Sequence, residues 1–323
     1  MDGDAVDRTL CDLVKSKLSP SIRAPLLRAH FDFAAWVSII PNMESAVRDQ
    51  DRTLRTATAF AGHAEDWERY VASPLGRLRQ DLVTTHLLHH LRLLPTSVTV
   101  LDAGAGTGGY AIALAKQGHH VCLLDFAVGM LKIAQRSVAG ADPSLLQRVD
   151  FCCFPVEQVS EYFPSKHFQA VLVHTLLEYL DEPWAVLRSL IDVLAPGGLL
   201  SLLVVNPRAE PFRLAWTKRD LARAREALTV SVSEADLFGL PRRILPPHEI
   251  RRALLEAHID IVAEYGIRIF ADHFTTDELA DTGFYLTLKE LEVAASRLEP
   301  YKRVARYLHI VGIRQTKASL QKG

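Results

Sequence analysis

Four glycines fall within ten residues in Val100-Leu-Asp-Ala-Gly-Ala-Gly-Thr-Gly-Gly109, between an apolar run and a helical stretch. Val98 to Leu101 is aliphatic and β-branched and reads as a strand, and Tyr110 to Gln117 reads as a helix. Gly104, Gly106 and Gly108 between them make a turn too tight for side chains. Glycine takes φ > 0 and lets a ligand lie against the main chain, while the free N–H groups of the helix start face it. A second strand, His120 to Asp125, then ends in a carboxylate placed to accept both hydroxyls of a ribose. Strand, loop, helix, strand and acid coincide, which disfavours an ordinary glycine turn and points to a nucleoside-cofactor site. Gly104, Gly106 and Gly109 also satisfy G-x-G-x-x-G, so this segment alone leaves a dinucleotide open.

The downstream order narrows the choice. Phe168 to His174 is an apolar strand, Thr175 to Leu180 carries Glu178 and Tyr179, Trp184 to Leu194 is helical, and Ala195-Pro-Gly-Gly198 turns into Leu199 to Val205. This order resembles class I S-adenosylmethionine (SAM) methyltransferases. The resemblance implies a glycine loop around the amino acid end of SAM, Asp125 on its ribose, and the end of the fourth strand beside its methyl group. It further implies a Rossmann-like α/β fold, a seven-stranded, mostly parallel sheet with helices on both faces.

With 323 residues and 49% hydrophobic content, the chain can bury one full α/β domain plus additions. No apolar run is long enough to span a bilayer, and Met1-Asp-Gly-Asp lacks the basic start of a secretion signal, so a cytoplasmic protein without a membrane partner is expected. Cys11, Cys122, Cys152 and Cys153 lack metal-ligand spacing and read as reduced thiols; no metal is expected. Residues 1–59 read as a helical extension, a packing or dimerisation arm that admits a homodimer, and residues 60–323 as the methyltransferase domain. Phe60 to Leu94 reads as helix, ended by Pro95, and Val149 to Phe154 as the third strand. Residues 207–246 read as a helical cap insertion over the strand ends, with a charged helix from Phe212 to Leu228 and a loop through Gly239 and Pro241. Pro247 to His258 and a long Asp277 to Leu298 follow as helices, with Ile259 to Phe270 and Val304 to Ile313 as the last strands.

A closer resemblance rests on Gly76-Arg-Leu-Arg-Gln80, on His174 with Leu177-Glu-Tyr179, and on Gly266-Ile-Arg-Ile-Phe270 with Asp272. Glu299-Pro-Tyr301 with Arg306-Tyr-Leu-His309 completes it. Together these are similar to the tRNA 5-carboxymethoxyuridine methyltransferase family, over about Phe60 to Arg314. The resemblance implies methyl esterification of a modified wobble uridine in a tRNA anticodon loop. It places Arg79, Gly104, Ala105, Asp125, Val156, Glu157 and His174 at the cofactor, and Asp102, Gly106 and Phe126 beside them complete the expected set.

A carboxylate is ionised at pH 7 and attacks a sulfonium methyl without a general base. Such a site needs cationic or phenolic donors, and Arg268, Tyr301 and Arg306 are the candidates for holding the acceptor, with His174 at the reacting centre. Arg268 has a bland alternative in pairing with Glu264 or Asp272, and Tyr301 in capping a turn. His309 reads as a satisfied strand histidine, and Glu178 as a second-tier candidate. Net charge is -1, which gives no global attraction to phosphate, but Arg208, Arg213, Lys218, Arg219, Arg223, Arg225, Arg242, Arg243, Arg251 and Arg252 crowd the insertion and the helix after it. Phe212 and Trp216 there either stack a splayed base or join the core. Two other readings stay open: a small-molecule O- or N-methyltransferase, and a SAM-binding module without turnover.

Overall fold

The computed structural model describes residues 59–60, 62–94, 97–164, 168–229, 238–240 and 242–316. The 1–59 extension except its last residue, Cys11, Pro95, Pro241 and part of the 207–246 insertion lie outside the described residues.

Seven strands form one sheet in the order β3-β2-β1-β4-β5-β7-β6, with β1 Thr99–Ala103, β2 His120–Asp125, β3 Val149–Cys153, β4 Phe168–His174, β5 Leu194–Val205, β6 Ile259–Ile267 and β7 Tyr307–Arg314. β1 to β5 pair in parallel, whereas β7 runs antiparallel to both β5 and β6. The strand order reverses beside β1, so β1 and β4 open a crevice at their carboxyl ends, the place where α/β sheets bind ligands. The central strands are apolar along their length because both faces are covered: Leu101, Ala103, Val171 and Val173 meet one buried cluster, and Val100, Ala170 and Leu172 the other.

Helices α1 (Ala64–Ala72) and α2 (Pro74–Leu91) precede the sheet. The single helix expected over Phe60 to Leu94 is broken at Ser73, where Pro74 has no N–H to continue the ladder and the Ser73 hydroxyl accepts from Gly76 N at 3.2 Å. Helices α3 (Ala111–Lys116), α4 (Val128–Ala141) and α5 (Pro183–Asp192) link the parallel strands.

Four other expectations need correction. Pro196-Gly-Gly lies inside β5 rather than before it, with Gly197 at φ +76° and a register shift between Phe168 and Ala170 on β4. The helix expected over Phe212 to Leu228 is a π turn, Arg213–Thr217, followed by α6 (Leu221–Glu226), separated by Arg219 at φ +57°. After α7 (Pro247–Glu256), the long helix expected over Asp277 to Leu298 is two, α8 (Thr276–Ala280) and α9 (Thr282–Ala295), because the Asp281 carboxylate caps α9 at Phe284 N (2.7 Å). Tyr301–Val304 is a helical turn, and the last strand starts at Tyr307 rather than Val304.

Candidate active site

The β1–α3 loop folds back over the end of β2. Asp125, buried, accepts from Gly106 N and Ala127 N, each at 2.8 Å, one bond to each carboxylate oxygen. The carboxylate keeps lone-pair capacity for a hydroxyl donor. Gly106 sits at φ +54°, a conformation that other L residues adopt at a steric cost. Gly109 has a different reason to lack a side chain, since a Cβ there would lie 2.0 Å from Gln80 Nε2 of α2.

A cavity opens over this loop, and its walls include Arg79, Asp102, Gly104, Ala105, Gly106, Asp125, Phe126, Val156, Glu157 and His174. All ten residues expected at the cofactor therefore meet in one place. Four buried polar atoms along its wall have no hydrogen-bond partner: Asp102 Oδ2, Tyr110 OH, Arg79 Nε and His174 Nδ1. An unpaired buried polar atom costs about 1–3 kcal/mol unless a ligand supplies its partner. Asp102 suits an ammonium and Arg79 a carboxylate, the two ends of an amino acid, and Asp125 suits a ribose. This donor set fits SAM, and the chemistry SAM supplies when bound is an electrophilic methyl group on a sulfonium. Burial, with Asp125 adding, pushes the Asp102 carboxyl up to about 7. Burial pushes Asp125 up to about 6 against the pull of its backbone donors.

His174 ends β4 with its ring edge-on to Tyr110 (centroids 4.7 Å apart). Its Nε2 lies 2.8 Å from Ser201 Oγ on β5, and Ser201 Oγ lies 2.8 Å from His309 Nε2 on β7. Burial holds His174 down at about 3 and His309 well below its ordinary value, so both rings are neutral. His174 is thus fixed and uncharged at the cofactor wall.

A second cavity of about 480 Å³ adjoins the first, sharing Trp67, Arg79, Thr175, Tyr179 and Phe238. Six cationic side chains line it, Arg79, Arg213, Lys218, Arg242, Arg268 and Arg306, against two carboxylates, Glu178 and Asp272. Local geometry aims several of them. Arg268 follows β6 at φ +59°, Nε donates to Asp272 Oδ1 (2.7 Å) and a terminal nitrogen to Tyr70 OH (2.8 Å). Buried Glu292 of α9 secures the next three residues, accepting from Ile269 N, Phe270 N and Ala271 N at 2.7–2.9 Å. Arg306 donates to Glu210 Oε2 (3.1 Å), which also receives Arg213 Nε (2.9 Å). Thr175, a β-branched residue at φ +50°, sits where the two cavities meet; strain of this kind persists only where surrounding structure enforces it.

The Arg79 guanidinium lies 5.1 Å from the Trp67 ring, 5.7 Å from Tyr70 and 5.5 Å from Tyr307. Burial raises the Tyr307 phenol, but Arg268, Arg79 and Arg306 around it outweigh that and bring it well below its ordinary value, while burial holds its partner Tyr70 up. The field in this cavity favours anions. Glu178 keeps Oε1 on Val205 N (2.7 Å) and leaves buried Oε2 without a partner, and burial pushes its carboxyl up to about 7.

Tyr301 is the exception among the expected acceptor residues. It is 45% exposed on its helical turn, packs near Phe270 (6.1 Å) and lines neither cavity. The phenols in the second cavity are Tyr70, Tyr179 and Tyr307, the last inside the Arg306-Tyr-Leu-His309 segment. The basic run also divides: Arg213, Lys218 and Arg242 reach the cavity, whereas Arg251 pairs with Glu264 (2.7 Å) and Arg252 with Glu256 (4.0 Å) on the outer face. Trp67, Tyr70, Thr175, Glu292 and Tyr307 were not singled out by sequence. For Trp67 and Tyr70 the only available signal was two aromatics three apart on a helix. Among the described residues no group of three or more His, Cys, Asp or Glu side chains is placed to hold a metal, and no helix is long and apolar enough to cross a membrane.

Residues 100–198 match a methyltransferase domain family. With the sheet order and the cofactor cavity around that segment, the chain is a class I methyltransferase that uses SAM. It is 29% identical over 259 residues to the tRNA 5-carboxymethoxyuridine methyltransferase of Escherichia coli K12, covering 78% of this chain and 94% of that protein. A ubiquinone biosynthesis O-methyltransferase of Xylella fastidiosa is 31% identical over 137 residues, covering 40% of this chain and 54% of that one. Among solved structures, magnesium protoporphyrin IX methyltransferase from Synechocystis PCC 6803 with bound SAH shares the fold, with TM-score 0.55, 14% identity, and coverage of 82% of this chain and all of that one.

Proposed function

We propose that this enzyme methylates the carboxylate of 5-carboxymethoxyuridine at the wobble position of tRNA, giving the methyl ester. The observation that carries this reading is the cation-lined second cavity, which shares Arg79 and Thr175 with the cofactor cavity. The similarity to the Escherichia coli tRNA enzyme over most of both chains supports the same acceptor.

The acceptor oxygen is ionised at pH 7, so no side chain has to remove a proton. Arg268 and Arg306 hold the carboxylate, each already fixed by an acid, Asp272 and Glu210, so that neither guanidinium reorders on binding. Neutralising those guanidiniums with their own acids keeps them from quenching the attacking oxygen. Neutral His174 lines the cofactor wall without adding charge beside a sulfonium. Trp67, Tyr179 and Phe238 exclude water from the junction, which strengthens the remaining electrostatics.

A second reading, a small acidic acceptor, draws on the limited volume of the cavity, about 480 Å³, and on the near-neutral net charge of the chain. Incubation with methyl-labelled SAM and either tRNA carrying the free carboxymethoxy group or a pool of small carboxylic acids separates the two. Base-labile label in the wobble nucleoside is expected. Label confined to small acids would overturn the tRNA reading.

A further inference from the structure

The π turn Arg213–Thr217 sorts its residues in two directions. Arg213 turns in to Glu210, Leu214 is fully buried, and Thr217 and Lys218 reach the second cavity. Phe212 and Trp216 turn out, 37% and 50% exposed, with ring centroids 5.0 Å apart. Trp216 meets the exposed His273 edge-on at 4.6 Å, and His273 follows directly on Asp272, the partner of Arg268. The result is an aromatic rim flanking Arg213, Thr217 and Asp272, which line the cationic cavity, with Lys218 and Arg219 exposed beside it.

Half-exposed tryptophan forfeits apolar burial, so the arrangement calls for an occupant. Two or three rings are far smaller than the roughly 800 Å² per side of a stable protein interface. They match the face of one nucleobase, and stacking on aromatics beside a cationic track is how proteins hold single-stranded nucleic acid. We infer that Phe212, Trp216 and His273 form a stacking platform for the RNA nucleotide adjoining the one whose acid group enters the cavity. This inference rests on the tRNA reading above. A base turned into the cavity loses its stacked neighbour, and the platform replaces that contact.

The probe is an unmodified anticodon stem-loop RNA, titrated against the full chain in the presence of SAH and followed by anisotropy and by tryptophan fluorescence. Wild type is expected to bind with strong salt dependence and to quench. Trp216→Ala should weaken binding roughly tenfold or more, the size of one lost base stack, and Phe212→Ala less. Trp216→Phe should restore most of the affinity while abolishing the quench, and SAH affinity should match wild type in all three, which reports folding. RNA binding by wild type with unchanged affinity in Trp216→Ala and Phe212→Ala overturns the platform and leaves the tRNA reading standing. Absence of RNA binding together with methylation of small acids overturns both. Self-association lost in Trp216→Ala would assign the rim to a second copy of this chain instead.

Discussion

His174 and His309 both direct Nε2 at the Ser201 hydroxyl, each at 2.8 Å, so that one imidazole accepts its proton and the other donates to its oxygen. Three neighbouring strands, β4, β5 and β7, are thereby tied through a buried polar centre. Both rings are depressed below the ordinary histidine value by burial, His174 to about 3. Unfolding lets them take up protons below about pH 6.5, so their contribution is complete above that pH and drains as pH falls towards 3.

Ser201→Ala leaves two buried imidazole nitrogens without a partner. A loss of about 1–3 kcal/mol is expected, read from urea unfolding at pH 7.5. Unfolding at an unchanged urea concentration would show that the centre contributes nothing to stability.

Asp102 sits at about 7 in the free protein, yet it must be ionised to receive an ammonium. Affinity for SAM should therefore be full near pH 8 and fall by up to about tenfold per unit as pH drops below 7. Calorimetry at pH 6, 7 and 8 on wild type and Asp102→Asn tests this, the variant binding weakly and with a flatter profile. A flat profile in wild type would remove Asp102 from the amino acid end.

Asp125→Ala removes the proposed ribose acceptor and also unties Gly106 N and Ala127 N from the loop. SAH binding should weaken about tenfold or more, as for a lost charged hydrogen bond. Equal affinity by calorimetry would mean that the ribose lies elsewhere.

Arg268→Lys and Arg306→Lys each keep a charge but lose the planar fork that meets an acid on one side and an acceptor on the other. Both should raise KM for the acceptor by about tenfold with little change in SAH affinity. Tyr301→Phe, lying outside both cavities, should leave steady-state constants at wild-type values; a large loss there would reinstate the phenol as an acceptor contact.

Glu292→Gln turns one carboxylate oxygen into a donor facing three backbone N–H groups. Stability should fall by about 1–3 kcal/mol, and KM for the acceptor should rise because the loop carrying Arg268 loosens. Native stability with native KM would assign Glu292 no positioning role.

The cofactor half of the site was legible because its determinants are local: Asp102 to Gly109 and Asp125 are fixed by one strand–loop–helix–strand unit whose glycines mark the close approach. The acceptor half draws on α1, α2, the π turn, the end of β6 and the start of β7, and no short-range pattern joins Trp67 or Tyr70 to Arg268. Tyr301 is the phenol that the Glu299-Pro-Tyr301 segment offers to the acceptor, but a turn of helix before β7 leaves it outside both cavities, and Tyr307 lines the second cavity in its stead. Glu292 carried no signal, since a glutamate on a helix reads as solvent-facing until the loop it fastens is seen to fold over it. The merged helix expected over Phe212 to Leu228 hid the π turn, because hydrophobic spacing alone cannot register one extra residue per turn.

Arg79 belongs to both chambers, caged by three aromatic rings and with Nε still free of any partner. A single cation cannot answer two anions without choosing how its field is divided, so loading one chamber alters the welcome given in the other. Thermodynamic reciprocity makes that influence equal in both directions: whatever factor the methyl donor imposes on recipient affinity, the recipient returns to the donor.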